Sequence, residues 1–197
     1  MAKEALILFV RKPELGKVKT RIAATEGEAV ALAIYQRLLE HTYTITSGLP
    51  VDKYVFYAGE MVSHDIWNQG YYKMLQEETD LGNRMKAAFS LLFQKGYEQI
   101  CIIGSDCYEL DASVIRQAFS SLAQTDMVIG PASDGGYYLL GMRQGLKDVF
   151  QHIEWSTESV LQQTIDQIRA LNSSYVLLPV LNDVDTIHDV PESWKVK

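Results

Sequence analysis

The sequence predicts an α/β fold built on a mainly parallel sheet. Short apolar, β-branched runs alternate with longer segments of helical period, and no repeat, low-complexity tract or linker interrupts them. Three polar clusters also follow predicted strands directly, at the strand ends where open α/β sheets bind their ligands. A length of 197 residues predicts a single domain over 1–197, and a hydrophobic fraction of 47% suffices for a sizeable core.

The elements follow in order. ALILFV (5–10) is a short apolar run and reads as a buried strand. Residues 27–47 place Val30, Ala33, Ile34, Leu38 and Tyr43 at about the helical period. DKYVFYA (52–58) and YYKMLQE (71–77) read as strands. Leu81 to Lys95 reads as a helix, with Met85, Ala88, Phe89 and Leu92 on one face and Gly96 as its stop. QICIIGSD (99–106) is an apolar run ending in polar residues, the clearest strand of all. Asp111 caps the next helix, which runs through Ile115, Ala118, Phe119 and Leu122. DMVIGPA (126–132) and GYYLLGM (136–142) are strands around the turn signal SDGG. Thr157 to Leu171 reads as a helix, YVLLPVL (175–181) as a last strand, and DVDTIHDVPESW as a loop with a short helix.

Charge and composition exclude several classes. A formal net charge of −7 argues against general nucleic-acid binding, which needs broad basic surfaces. No stretch approaches the roughly 18 apolar residues that span a membrane, and MAKEALILFVRK is too short in its apolar part for a signal peptide. Cys101 and Cys107 read as reduced thiols of a cytoplasmic protein, and their spacing matches no common metal site. The four histidines, at 41, 64, 152 and 188, carry no nucleophile signature.

The first polar cluster is RKPELGKVKTR, Arg11 to Arg21, with five cations among eleven residues. Residues 1–21 hold six Lys/Arg against two Asp/Glu, a net of +4 that leaves −11 on the rest of the chain. A solvated turn accounts for this loop, and so does a seat for phosphates. Gly16 would let backbone approach a ligand, Lys17, Lys19 and Arg21 would supply charge, and a helical turn would put 17 and 21 on one face. The loop is not a P-loop, since G-x-x-x-x-G-K-[ST] is absent. The second cluster is GSDCYEL (104–110), where Asp106 either orders the loop or holds Mg²⁺ or Mn²⁺ through hard oxygen ligands. The third is PASDGGYYLLG (131–141), a hairpin whose Ser133-Asp134 pair is left over for an acceptor-positioning or basic role. Two late segments are compatible. Trp155, Ser156 and Thr157 precede a helix N-terminus, which suits either an anion or a Ser/Thr cap with Trp155 in the core. Asp183, Asp185 and Asp189 follow the last strand, as further metal ligands or as turn residues.

FVRKPELGKVKTR, LGNRM, GSDC, PASDGGYYLLG, WST and DVDT, in this order, resemble a family of small bacterial nucleotide-diphospho-sugar transferase-like proteins. These are often described as glycosyltransferases of GT-A type, and the resemblance runs from about Leu6 to Val190. It implies a Rossmann-like α/β/α sandwich with a mixed, mostly parallel seven-stranded sheet. Guanylyltransferases for the molybdenum cofactor and for 2-phospholactate share that fold. By resemblance, the nucleotide lies against Arg11, Lys12, Gly16, Lys17, Lys19 and Arg21, with Ser105 beside it. By resemblance the divalent cation lies on Asp106, while Asp183 or Asp185 is a candidate further ligand from its place after the last strand. Asp134 faces the acceptor, together with Gly135, Gly136, Tyr137, Trp155, Ser156 and Thr157.

Two departures stand out. Tyr108 occupies a position where the family commonly has proline, and Gly104-Ser105 precede Asp106 where GT-A enzymes often carry Asp-x-Asp. The expected function is a metal-dependent glycosyltransferase with a nucleotide-diphospho-sugar donor and a small-molecule acceptor. A nucleotidyltransferase that releases pyrophosphate and a non-catalytic nucleotide-binding protein are the alternatives. All three need the start and the middle of the chain to converge, with Lys19 and Asp106 at one cleft.

Overall fold

A computed structural model describes residues 2–143 and 148–194. Residues 1, 144–147 and 195–197, part of the expected domain, lie outside it. Seven strands form one sheet: β1 (Glu4–Arg11), β2 (Asp52–Ala58), β3 (Tyr72–Leu75), β4 (Gln99–Ile103), β5 (Met127–Pro131), β6 (Tyr137–Arg143) and β7 (Tyr175–Leu177). Their spatial order is β3-β2-β1-β4-β6-β5-β7. Only β6 runs antiparallel to its neighbours, so the sheet is mixed and mostly parallel, as expected.

Both faces of the sheet are covered, which explains why the central strands read as continuous apolar runs. Leu6, Leu8 and Val10 of β1 face one side, with α2 (Glu28–Ser47) and α4 (Ala112–Leu122) supplying Tyr35, Leu39, Ile115 and Phe119. Ala5 and Ile7 face the other, with α3 (Leu81–Gln94) and α5 (Val160–Ala170) supplying Met85, Phe89, Ile165 and Ile168. Period two in the strand thus feeds both cores of an α/β/α sandwich.

Three local differences from the sequence reading bear on the site. A seven-residue helix, α1 (Thr20–Glu26), precedes α2 and is separated from it by Gly27 at φ 89°. Lys17 lies in the turn before α1, so the shared helical face expected for Lys17 and Arg21 does not form. The helix after WST starts at Val160 rather than Thr157, because Ser156 takes φ 66° and Thr157 Oγ1 donates back to Glu154 O at 2.7 Å. β7 stops at Leu177 instead of 181, since Pro179 has no N–H to give a ladder. The chain still follows β5, through Leu178 N to Ile129 O at 2.8 Å and Leu181 N to Pro131 O at 3.1 Å.

A third, smaller core then fixes the final loop. Val184 and Val190 pack with Ile22 of α1 and with Ala31, Ile34 and Leu38 of α2. That packing turns the last acidic segment back over the carboxyl ends of β1 and β4.

Candidate active site at the carboxyl edge of the sheet

A cavity of about 600 Å³ opens at this edge. It lies where β1 and β4 end side by side and their loops part, as expected for an open α/β sheet. Lys19 is the N-cap residue of α1 and sits in the left-handed region, φ 46° and ψ 49°, uncommon for a residue with a Cβ. This conformation accompanies an inward-pointing side chain that is only 6% exposed. Its Nζ lies 2.8 Å from Asp106 Oδ1 and 3.9 Å from Asp185 Oδ1, and donates to Val184 O at 2.7 Å. The beginning, middle and end of the chain therefore meet at one ammonium.

The acids around it outnumber it. Arg21 Nη1 pairs with Asp185 Oδ2 at 3.2 Å. Burial, and then the charges of Asp106 and Asp134, push the Asp183 carboxyl up to about 7, with Lys19 opposing and Asp185 adding to the rise. Asp189 serves the loop itself: it accepts from Thr186 N at 2.7 Å, Thr186 Oγ1 at 2.8 Å and Asp185 N at 3.2 Å. Those bonds hold its carboxyl below the ordinary range despite partial burial. The β4–α4 loop is tied to the same segment by Val184 N donating to Asp106 O at 2.8 Å and by Cys107 Sγ donating to Asn182 O at 3.5 Å. Tyr108, the departure from the family's proline, packs edge-on against Trp194 at 4.6 Å and lies 4.9 Å from the His41 ring. It braces this loop against the C-terminal segment.

A family profile described as "Uncharacterized protein conserved in bacteria (DUF2064)" matches residues 42–157. The chain belongs to the DUF2064 family. No curated protein matches it. A "putative nucleotide-diphospho-sugar transferase" from Desulfovibrio desulfuricans G20 is 32% identical, with TM-score 0.87 over 94% of this DUF2064 chain and 84% of that one. The inositol-1-phosphate CTP transferase of T. maritima shares the fold at 12% identity, with TM-score 0.61 over 98% and 94% of the two chains. So does Rv0371C of Mycobacterium tuberculosis, solved as a complex with manganese, at 12% identity and TM-score 0.52 over 96% of each chain. The expected nucleotide-diphospho-sugar transferase-like fold is the one observed.

In this DUF2064 protein the expected residues divide sharply. Arg11, Lys17, Lys19, Arg21, Ser105, Asp106, Asp183, Asp185, Tyr137 and Ser156 line the cavity. Lys12 does not: its Nζ pairs with Glu60 at 3.0 Å outside the lining. Lys17 is at the rim, 70% exposed, and pairs with Glu14 at 3.2 Å. Gly16 (φ 73°) shapes that turn rather than touching the cavity. Asp134 also lies outside the lining, with Oδ1 accepting from Gly136 N at 2.9 Å in the hairpin turn.

Gly135 and Gly136, expected on the acceptor side, also lie outside the lining. Gly135 has φ 89°, and a Cβ there would lie 2.1 Å from Glu158 O, so this turn is pressed against the segment that leads into α5. Trp155 covers Gly82 in the first turn of α3, where a Cβ would lie 2.4 Å from the indole. Neither Trp155 nor Thr157 lines the cavity. Cys101 and Cys107 are free and buried. No helix among the described residues is long and apolar enough to cross a membrane.

Sequence reasoning missed three residues that shape the cavity. Tyr35 of α2 clamps Arg11, accepting from its N at 2.8 Å and donating to its O at 3.1 Å. Burial raises the Tyr35 phenol to about 12, so it stays protonated for this task. Gln76 donates from Nε2 to Phe56 O at 2.9 Å and accepts from Arg84 Nη1 at 3.0 Å. Arg84 lay within the quoted LGNRM segment, but nothing local marks its side chain as facing the cleft.

Proposed function

We propose that the chain is a transferase that binds a nucleotide-diphospho-sugar at the carboxyl edge of the sheet and passes the sugar to a small-molecule acceptor. The observation that carries this reading is the 2.8 Å contact between Lys19 and Asp106, which joins the opening loop and the β4 acid at one cavity. The name of the 32% identical Desulfovibrio protein supports the donor class.

A divalent cation, Mg²⁺ or Mn²⁺, belongs to the proposal. Among the described residues no three His, Cys, Asp or Glu side chains form a ready-made metal site. The donor set nevertheless suits a hard cation that keeps water and substrate phosphates as its other ligands. It is all oxygen, and Asp183 is raised first by its burial and then by the charges of Asp106 and Asp134, against which Lys19 acts. Asp106 and Asp183 would hold the ion, while Asp185 stays engaged with Lys19 and Arg21. Bound there, the ion would stabilise negative charge on the leaving diphosphate.

The chain's own groups do the rest. Lys19 and Arg21 orient the diphosphate oxygens and hold the charge that develops when the anomeric C–O bond breaks. The electron pair leaves with the diphosphate, and the acceptor oxygen forms the new bond. Asp134 lies outside the cavity lining but close enough for its charge to act on Asp183, and it would take the proton of an acceptor seated over the hairpin. D134N keeps an oxygen for the Gly136 N–H and should lower kcat while leaving donor affinity within about twofold.

One observation favours a second reading, nucleotidyl transfer. A single acid follows β4, and its companion, Asp183, comes from the far end of the chain. In that reaction an acceptor phosphate attacks the α-phosphate of a nucleoside triphosphate, the α–β P–O bond breaks, and pyrophosphate leaves. Assays for nucleoside diphosphate and for pyrophosphate, run on the same nucleotide panel with Mn²⁺, separate the two readings. D106A should abolish either product and Mn²⁺ binding together. Nucleotide affinity that survives D106A, with no product from the wild type, would identify a binding protein. Neither product nor any nucleotide- or Mn²⁺-induced thermal shift would sink the reading altogether.

A further inference from the structure

The cations of the opening loop are mostly committed to carboxylates: Lys12 to Glu60, Lys17 to Glu14, Lys19 to Asp106 and Arg21 to Asp185. Arg11 is different. It lines the cavity, its backbone is clamped by the Tyr35 hydroxyl, and among the described residues no carboxylate lies within ion-pair distance of it. Arg84, in the first turn of α3, lines the same cavity without an ion pair either.

Arg84 keeps donor capacity that its protein contacts do not use. Gln76 fixes one end of the guanidinium and is itself anchored on Phe56 O, while the buried Arg84 Nε has no hydrogen-bond partner. A buried donor left unmade is costly, and two neighbouring guanidinium groups repel. Both penalties are present here: burial and then the charge of Arg11 lower the proton affinity of Arg84, with Asp80 alone opposing. Asp80 is occupied as the α3 cap, accepting from Asn83 N at 3.0 Å.

We infer that Arg11 and Arg84 form a phosphate-binding subsite within this cavity. Two guanidinium groups carry the charge of a phosphate dianion and present forked donors that match its oxygens, which a single carboxylate would satisfy only in part. The subsite deepens the proposed function by requiring a phosphate there, and it rests on that reading only for which substrate carries the group.

Arginine Nε–Hε resonances of the ¹⁵N-labelled chain test the inference. The chain is titrated with inorganic phosphate in EDTA at constant ionic strength, with acetate as comparator. Two arginine resonances should shift saturably, with phosphate bound about tenfold or more tightly than acetate. R84Q and the exposed-site variant R11Q should each weaken phosphate by about tenfold or more, while R169Q, on the outer face of α5, should not. No saturable shift in the wild type, or wild-type affinity in a folded R11Q, overturns the subsite. If R84Q does not fold, R11Q still decides.

Mn²⁺-induced broadening, measured separately, reports on the metal reading. Flat arginine resonances with broadening intact remove the subsite alone; intact shifts without broadening remove the metal alone. Adding a saturating nucleoside diphosphate then tells the source. Displacement of phosphate assigns the subsite to the donor, and joint occupancy assigns it to a phosphorylated acceptor.

Discussion

Lys19 reaches the acids from a left-handed backbone, and such strain persists only where the surroundings over-determine it. Removing its charge while keeping its stem, as in K19M, leaves Asp106 unpaired and Asp183 without its opposing cation. Turnover should fall by about 100-fold or more. Stability at pH 8 should fall by on the order of 1–2 kcal/mol, tempered because Asp106 is 45% exposed. A variant of wild-type activity would remove Lys19 from the chemistry.

Asp183 gives a pH signature of its own. Its folded value of about 7 lies above the roughly 3.9 of an unfolded aspartate, so between those values the folded chain holds a proton that the unfolded chain has released. The associated stability is therefore complete below about pH 4 and is lost as pH rises towards 7. In EDTA, D183N should gain Tm over the wild type at pH 8 and lose that gain at pH 4.5. An equal difference at both pH values, or a reversed one, would contradict the buried-acid account.

At the scale of elements, legibility followed locality. β2, α3 and the Asp111 cap of α4 could be read because each depends on neighbours in the chain: an apolar run, a helical period, an oxygen two or three residues before free N–H groups. Asp111 does accept from Ser113 N at 2.7 Å and Val114 N at 3.0 Å, and D111A should cost about 1 kcal/mol in chemical denaturation. α1 escaped notice because only Ile22 of its seven residues is buried, which gives no period to detect. The WST segment leaves Trp155 open between the core and the acceptor side, because nothing in it reveals that the indole lies over Gly82, some seventy residues earlier. G135A sets a harsher test than D111A. It combines a positive φ with a Cβ 2.1 Å from Glu158 O, and should cost about 3 kcal/mol or more by denaturation.

At the scale of the molecule, the sheet order is what turned a string of motifs into a site. The rule that ligands lie beyond the carboxyl ends of strands was enough to expect Lys19 and Asp106 together. It could not say which cations would remain unneutralised, since Glu60 and Asp185 reach Lys12 and Arg21 from 48 and 164 residues away. A mixture of Mn²⁺ and the matching nucleotide at about 100 times its Kd should stabilise the whole fold by about 2.7 kcal/mol, visible as a rise in Tm that D106A lacks. The hydrogen bond from Lys19 to Val184 O, spanning 165 residues, also sets a temporal order on synthesis. A growing polypeptide can lay down β1 to β6 and still have no Asp183, no Asp185 and no clasp for the lysine. The cluster around Lys19 is therefore completed only once the segment around Val184 has folded back against Ile22 of α1.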